Sequence, residues 1–277
     1  MNPKLIPASL SQLQWRPGTN NYLYVAGGAL VQGTPGKQGR DTLVRLADLT
    51  TLLKYNRFDP LKRFPSVTFI TEDAFRYIDG NNLFLVDIMK NSVEKINSWD
   101  EKAVNLDFDE TGRAAAYTLE NNLYLALEGK QVTVTREENK GIVYGSERVH
   151  RNEWGISKGT FWSPDGKKIA FYRMDESMVS EYPLVDASAR IATVNPTRYP
   201  MAGMASHRVS LGIYHPASGK TLYLEPDSLR ISDPSMRFEY LTNITWSPDG
   251  KHIYVAALNR DQNHMQLNQY DAASGRY

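Results

Sequence analysis

The sequence predicts an all-β fold, a partial β-propeller of about five four-stranded blades. The phrase WSPDGK occurs twice, at residues 162–167 and 246–251, and an alternating apolar run follows each copy. Weaker copies of the same aromatic, turn and strand pattern lie at residues 13–25, 67–77 and 106–117. Repetition of a four-strand unit every few tens of residues is typical of propeller blades. Because each blade needs neighbours to bury its faces, the copies predict one continuous array.

The repeated phrase has the composition of a tight turn between antiparallel strands. Proline presets φ, aspartate hydrogen-bonds to its own backbone, and glycine accepts a positive φ. The flanking residues 159–162 and 168–172 are rich in aromatic and β-branched side chains, which favour strands. Each copy therefore predicts a hairpin.

Further strand patterns complete the blades in chain order. The second blade continues through residues 81–87 and 92–96, and the third through residues 121–126 and 131–135. The step from the fourth blade to the fifth is longer than the others, which predicts an insertion in the fourth blade. This insertion covers residues 173–186 and 197–203, which are charged, Met-rich and interrupted by proline. Residues 208–214 and 220–224 then supply the outer strands of that blade.

Composition narrows the classes of partner. The 277 residues include 32 basic and 31 acidic side chains, a net charge of +1, so no nucleic-acid or anionic-membrane partner is expected. No apolar stretch approaches the roughly 20 residues of a membrane span, and no signal-peptide hydrophobic region follows Met1. The protein is therefore either cytosolic or exported with its signal peptide already removed. The absence of cysteine excludes disulfides and thiolate chemistry.

Local motifs predict no catalytic residue, metal site or cofactor. Residues 155–159, GISKG, fit the G-x-S-x-G pattern, but a serine elbow needs an apolar strand before it and a helix after it. We interpret Ser157 as part of a turn between blades. The five histidines contain no HExxH motif and no i, i+4 pair that would favour a metal site. Asp107 and Asp109 lack the glycine and glutamate of a calcium loop, so we expect a turn there.

One longer segment carries a family resemblance. Residues 148–166, RVHRNEWGISKGTFWSPDG, resemble the stretch before the fourth blade in the N-terminal propeller of dipeptidyl peptidase IV-type serine peptidases. These belong to the prolyl oligopeptidase clan, family S9. Residues 170–186, residues 199–203 and the second WSPDGK extend the resemblance, which is strongest over residues 140–277. The greatest likeness is to the bacterial branch that includes prolyl tripeptidyl peptidases.

The resemblance implies a proline-directed serine exopeptidase that releases di- or tripeptides from peptide N-termini. In this family an eight-bladed propeller gates access to an α/β-hydrolase domain with a Ser-Asp-His triad. Residues 1–277 would then be an incomplete N-terminal propeller region, with the catalytic domain and its triad absent from this chain and the chain alone inactive. The implied partners are that C-terminal domain, a peptide with a free N-terminus and, as a further candidate, a second copy in a homo-oligomer. The implied location is the periplasm or the cell surface or exterior of a bacterium.

Two substrate-binding residues follow from the resemblance. Glu153 matches a propeller glutamate that binds the substrate's free α-ammonium group through a charge-assisted hydrogen bond. The dipeptidyl branch often has two adjacent acids there, whereas Asn152 precedes Glu153 here, so dipeptidyl and tripeptidyl release both stay open. Arg76 matches an arginine that contacts the substrate's backbone carbonyl. Residue type alone favours a surface glutamate at position 153, and a solvated strand residue is the alternative for Arg76.

The insertion has charged residues near its start, and a second class of function is also open. Arg173, Asp175 and Glu176 are candidates to support the insertion, and the favoured alternative is that they are ordinary salt-bridged loop charges. The alternative function is a freestanding propeller that acts as a protein-interaction scaffold. A ring closed within these residues would favour the scaffold, and five blades with an open end would favour the peptidase.

Overall fold

The computed structural model describes residues 9–224 and 238–277, and most of these residues lie in antiparallel strands. The chain divides into two compact units, Met1–Glu101 and Lys102–Tyr277.

The first unit contains two four-stranded sheets, each with its strands in chain order. The first sheet consists of β1 (Ser11–Trp15), β2 (Tyr22–Ala26), β3 (Ala29–Gly33) and β4 (Arg40–Arg45). Helix α1 (Leu46–Tyr55) follows it. The second sheet consists of β5 (Val67–Phe69), β6 (Ala74–Asp79), β7 (Asn82–Asp87) and β8 (Ser92–Ser98).

Helix α1 is an element that the repeat pattern did not predict. Its buried residues Leu49 and Leu53 join the same hydrophobic core as Phe75 and Tyr77 of β6. Leu46, Leu49 and Leu53 lie at helical spacing, so the signal was present in the sequence. The helix covers the sheet with one apolar stripe, as expected of a short surface helix.

Two glutamine side chains join the sheets of the first unit. The Gln12 amide donates to the Pro65 carbonyl at 3.0 Å and accepts from the Val67 N–H at 2.9 Å. The Gln14 amide donates to the Val67 carbonyl at 3.0 Å and accepts from the Phe69 N–H at 3.3 Å. The side chains of β1 therefore satisfy backbone groups of the edge strand β5, which would otherwise lack strand partners on that side.

The second unit contains three sheets and a separate hairpin. The first sheet consists of β9 (Val104–Phe108), β10 (Ala115–Leu119), β11 (Asn122–Leu127) and β12 (Lys130–Thr133). The second consists of β13 (Ile142–Tyr144), β14 (Thr160–Trp162), β15 (Ile169–Asp175), β18 (Arg208–His215) and β19 (Lys220–Tyr223). The hairpin is formed by β16 (Glu181–Asp186) and β17 (Thr193–Arg198), and the last sheet by β20 (Phe238–Trp246), β21 (His252–Asn259) and β22 (Met265–Asp271).

The predicted fold class is confirmed by this arrangement. Five antiparallel meander sheets follow one another along the chain, as about five propeller blades require. The hairpin β16–β17 lies between β15 and β18, so the insertion in the fourth blade is also confirmed. Neither α1 nor any other helix in the described ranges is long and apolar enough to cross a membrane.

The edge strand of the fourth sheet is interrupted. Both β13 and β14 pair with β15, β13 opposite residues 173–175 and β14 opposite residues 169–171. At the gap, the Gly145 N–H donates to the Tyr172 carbonyl at 2.8 Å, and the Tyr172 N–H donates to the Gly159 carbonyl at 3.0 Å. Residues 146–158 therefore leave the strand and return at one point on β15, and we call them the Glu153 loop. A Cβ at Gly159 would collide with the Gly145 and Ser146 backbone, so this close return requires glycine.

This interruption corrects the prediction for the GISKG segment. Ser157 lies inside the fourth blade, within the Glu153 loop, and not in a turn between blades. From the sequence alone β14 is taken as the first strand of the blade, because β13 is short and the Glu153 loop separates β13 from β14. Ser157 is exposed, follows a 3-10 helix and precedes a strand, which is not the geometry of a serine elbow.

The two WSPDGK copies form equivalent turns. In the first, the Lys168 N–H donates to the Ser163 hydroxyl at 2.9 Å, and the Lys167 N–H donates to Asp165 Oδ1 at 3.1 Å. The second has the same bonds, from the His252 N–H to Ser247 at 2.9 Å and from the Lys251 N–H to Asp249 at 3.0 Å. The serine and the aspartate, which have the same spacing in both copies, thus accept hydrogen bonds from backbone N–H groups of each turn.

The tryptophan of each phrase contacts the preceding sheet. The Trp162 indole N–H donates to the Asp107 carbonyl on β9 at 3.1 Å, and the Trp246 indole N–H donates to the Phe161 carbonyl on β14 at 3.0 Å. Asp109 accepts the Ala114 N–H at 2.8 Å, so a turn begins at Asp109, as expected. The expectation of a turn is wrong for Asp107, which lies in β9 and pairs with Ala116 of β10.

Candidate functional site

Glu153 lies in a 3-10 helix, Val149–Gly155, in the middle of the Glu153 loop. We call this element the Glu153 helix. The side chain of Glu153 is exposed, and among the described side chains none forms an ion pair or hydrogen bond with its carboxylate. The side chains of Arg151 and Asn152 lie outside the described part, so the contrast between Asn152 and Glu153 stays a prediction. The carboxylate is therefore accessible to a ligand cation.

The Glu153 helix has an unusual backbone. His150 has φ 49°, Trp154 has φ 53° and Gly155 has φ 70°. A positive φ is uncommon for residues other than glycine and costs about 1–3 kcal/mol for each residue. Contacts with the surrounding elements must offset this cost.

His150 supplies the most buried of these contacts. Its side chain is 1% exposed, its Nδ1 lies 2.9 Å from Nε2 of His207, and its Nε2 lies 3.1 Å from the Leu241 carbonyl oxygen of β20. A carbonyl oxygen only accepts hydrogen bonds, so Nε2 of His150 carries the proton and Nδ1 accepts from the Nε2–H of His207. One imidazole thus links the Glu153 helix, the segment before β18 and β20.

The environment of His150 favours its neutral form. Burial and, to a smaller extent, the charge of nearby His207 lower its pKa from the usual 6.5 to about 3. The hydrogen bond to Leu241 acts in the opposite direction. His150 is therefore neutral at physiological pH.

Trp154 forms the second contact beneath the helix. Its ring lies 4.8 Å from the Tyr240 ring and meets the His150 ring edge-on at 5.0 Å. The Tyr240 hydroxyl accepts a hydrogen bond from Arg260 Nη1 at 2.6 Å. The aromatic side chains of His150 and Trp154, which flank Glu153 in sequence, thus contact Tyr240 of the last sheet, while Glu153 itself is exposed.

Arg148 connects the start of the same loop to the insertion. Its Nη2 lies 2.9 Å from Oε1 of Glu176, whose side chain is 4% exposed. Glu176 follows β15 and forms a salt bridge, as the expectation has it, but its carboxylate is buried and not solvated. Arg173 and Asp175 lie in β15, where Arg173 Nη2 is 3.7 Å from Asp175 Oδ2, and not in the insertion.

Arg76 lies on β6 of the first unit, paired across the sheet with Thr68 and Leu85. Its side chain is half-buried. The two predicted residues thus belong to different compact units, Arg76 to the first and Glu153 to the second.

Sequence reasoning missed the residues that support Glu153. His150 is 57 residues from His207 and 91 residues from Leu241, and no local pattern links such distant positions. The one available signal was the position of His150 and Trp154 on either side of Glu153 within the resembling segment.

No group of three or more His, Cys, Asp or Glu side chains that could hold a metal ion occurs in residues 9–224 and 238–277.

Comparisons with known proteins identify the family of the fold. Residues 61–277 match the family described as the dipeptidyl peptidase IV (DPP IV) N-terminal region. A crystal structure of a putative dipeptidyl aminopeptidase IV from Bacteroides ovatus superposes with a TM-score of 0.84 at 40% identity, covering 97% of this chain and 36% of that one. Porphyromonas gingivalis dipeptidyl peptidase 4 has the same fold, with a TM-score of 0.66 at 22% identity over 95% of this chain and 38% of that one.

Curated relatives of this chain include fungal proteins. A probable dipeptidyl-aminopeptidase B from Pyrenophora teres f. teres is 26% identical over 237 residues, which are 78% of this chain and 26% of the relative. The chain thus spans about a quarter of that relative's length. Because the family match covers most of the chain, including the Glu153 loop and the insertion, the chain belongs to the dipeptidyl peptidase IV N-terminal region family.

Proposed function

We propose that this chain is the propeller part of a proline-directed serine exopeptidase that releases di- or tripeptides from peptide N-termini. In this proposal Glu153 binds the α-ammonium group of the substrate. The observation that carries it is an exposed carboxylate on a short helix in which buried His150 and half-buried Trp154 contact β20. The helix restrains the position of the carboxylate and leaves its oxygens open to a cation.

A carboxylate in this setting can select for a free N-terminus. An ammonium group donates charge-assisted hydrogen bonds, whereas an acetylated N-terminus has neither the charge nor the same donors. A binding site built around this contact therefore rejects blocked peptides, because the carboxylate would lose its water without gaining a partner.

Arg76 is proposed as a second contact, to a backbone carbonyl of the substrate. A guanidinium offers several fixed N–H donors, which suits a planar peptide acceptor. Its half-buried position on β6 restrains the side chain.

The catalytic step is assigned to an α/β-hydrolase domain in the longer protein, which we propose as the main partner of this chain. The proposed location is the periplasm or the outside of a bacterial cell, and fractionation of cells that express the longer protein would test it.

Replacement of Glu153 by Gln in the longer protein tests the proposed function. The change keeps the shape but removes the charge, so we expect kcat/KM for a peptide with a free N-terminus to fall about 30- to several-thousand-fold. Glu147→Gln is the matched control, because Glu147 is an exposed glutamate in the same loop, and it should have little effect. The assay would compare free and acetylated X-Pro and X-Y-Pro substrates.

The wild-type enzyme should turn over acetylated peptides poorly, and Glu153→Gln should not lower that rate further. Wild-type kinetics of Glu153→Gln on free peptides would mean that Glu153 is a surface residue.

In the same assay Arg76→Lys should reduce kcat/KM if the guanidinium contacts the substrate, on free and acetylated peptides alike.

A further inference from the structure

We infer that the buried pair His150 and His207 positions the Glu153 carboxylate for substrate binding. This inference rests on the proposed role of Glu153 and assigns two residues that act through it. Neither histidine needs to touch the substrate, because both side chains are buried: His150 belongs to the helix that carries Glu153, and His207 contacts it from the segment before β18. They are positioning residues.

The His150–His207 pair restrains both the orientation and the position of the Glu153 helix. Both ring nitrogens of His150 are in use, one to His207 at 2.9 Å and one to the Leu241 carbonyl at 3.1 Å. An apolar side chain of similar size could fill the same space, but it would hold no particular orientation. Two directional bonds from one buried ring therefore restrict both sliding and rotation of the helix.

The backbone of the helix gives a reason why such an anchor is needed. His150 and Trp154 both have a positive φ, and the energy of this conformation is recovered only while their side chains keep their partners. Trp154 packs on Tyr240, and His150 bonds across to β20. Loss of the histidine bonds would let residues 149–155 relax and move Glu153 away from its position.

The anchor works only with a neutral His150. A second proton on His150 would make Nδ1 a donor facing the Nε2–H of His207, and it would place a charge among buried groups. The titratable groups that face His150 are His207 itself, Tyr172 from β15 and Tyr240 from β20, whose hydroxyl is bonded to Arg260. None of these offers a negative charge at neutral pH to stabilise an imidazolium.

Acid should therefore release the helix. His150 has its ordinary pKa of 6.5 when the loop is open and about 3 when it is closed, so protons favour the open form between these values. The equilibrium constant for opening should rise on the order of 25-fold between pH 7 and pH 5.

Amide hydrogen exchange of the 277-residue chain measures this opening without any need for activity. After correction for intrinsic rates, protection of residues 149–155 should fall on the order of 25-fold between pH 7 and pH 5. His150→Gln keeps a donor for the Leu241 carbonyl but does not titrate, so its protection should not depend on pH in this range. His264→Gln is the control, and it should retain the wild-type pH dependence.

Kinetics of the longer protein test the link to Glu153. His150→Phe should raise KM for free N-terminal peptides about tenfold or more and leave kcat within about twofold, with His150→Gln intermediate. A role in stability alone would lower the active fraction and leave KM unchanged. If His150→Phe does not fold, the wild-type exchange data and His150→Gln still decide the question.

The outcomes separate the two proposals. Equal protection of residues 149–155 at pH 7 and pH 5, or a wild-type KM for His150→Phe, would overturn the positioning role while Glu153→Gln remained defective. Wild-type kinetics for Glu153→Gln would instead overturn the proposed function, whatever the exchange data gave.

Discussion

At the scale of single residues, two tryptophans join neighbouring sheets through their indole nitrogens. Trp162 donates to the Asp107 carbonyl and Trp246 to the Phe161 carbonyl, so each repeat satisfies a backbone acceptor of the repeat before it. The contact explains why the aromatic position of the phrase is tryptophan in both full copies: phenylalanine and tyrosine have no N–H at this place.

Trp162→Phe should therefore lower the free energy of unfolding by about 1 kcal/mol or somewhat more, because it keeps an aromatic ring but leaves the Asp107 carbonyl without this donor. Trp15→Phe is the matched control, since Trp15 occupies the equivalent repeat position but is 65% exposed, and its effect should stay within about 0.5 kcal/mol. Urea unfolding followed by far-UV circular dichroism measures both. Equal midpoints for the two variants would mean that the indole hydrogen bond contributes nothing.

At the scale of elements, the hairpin β16–β17 is attached to its sheet by polar contacts. Residues 181–196 are exposed, so the hairpin adds nothing to the hydrophobic core. Arg198 Nη1 instead lies 3.1 Å from the carbonyl oxygens of Glu176 and Val179 and 3.2 Å from that of Ser177. Glu176 also binds Arg148 of the Glu153 loop, so one turn connects the insertion to the candidate site.

Arg198→Lys should loosen this turn and the hairpin without unfolding the sheet. A lysine ammonium cannot reproduce the planar guanidinium geometry, so amide exchange at residues 176–198 should accelerate about tenfold, while the urea midpoint changes little. Arg190→Lys, on the exposed connection between β16 and β17, should leave exchange at the wild-type rate. Wild-type exchange in Arg198→Lys would show that other contacts hold the turn.

The elements that could be predicted from the sequence are those with local signals. The hairpins around residues 162–167 and 246–251 follow from turn chemistry and alternation, and both are present. The split edge strand could not be predicted, because β13 and β14 are separated in sequence and become one edge only by pairing with β15. The same applies to the candidate site: a family resemblance points to Glu153, but the His150–His207 contact depends on the packing of distant segments.

At the scale of the whole molecule, two sets of groups make stability depend on pH in the same direction but in different ranges. The pKa values of Asp165 and Asp249 lie below the usual range, first because the hydroxyls of Ser163 and Ser247 donate to them. These carboxylates stabilise the fold above their ordinary pKa, and the contribution is lost as pH falls below about 4. His150 and the half-buried His215 act at higher pH, because loss of contact with water lowers the pKa of His150 to about 3 and also lowers the pKa of His215.

The direction in which His150 changes the free energy of unfolding with pH follows from the protons bound by the folded and unfolded chains. Between its folded pKa of about 3 and its ordinary value of 6.5, the unfolded chain binds more protons than the folded chain, so stability is full above pH 6.5 and falls as the solution is acidified. The expected loss from this one group is about 2 kcal/mol between pH 7 and pH 5, a range in which the aspartates do not titrate. Urea unfolding at pH 7, 6 and 5 would measure it, with His150→Gln expected to show a correspondingly shallower slope and His264→Gln the wild-type slope. Identical pH slopes for wild type and His150→Gln would mean that His150 is protonated as readily in the folded chain as in the unfolded one. Its two hydrogen bonds and its burial within the second unit argue against that outcome.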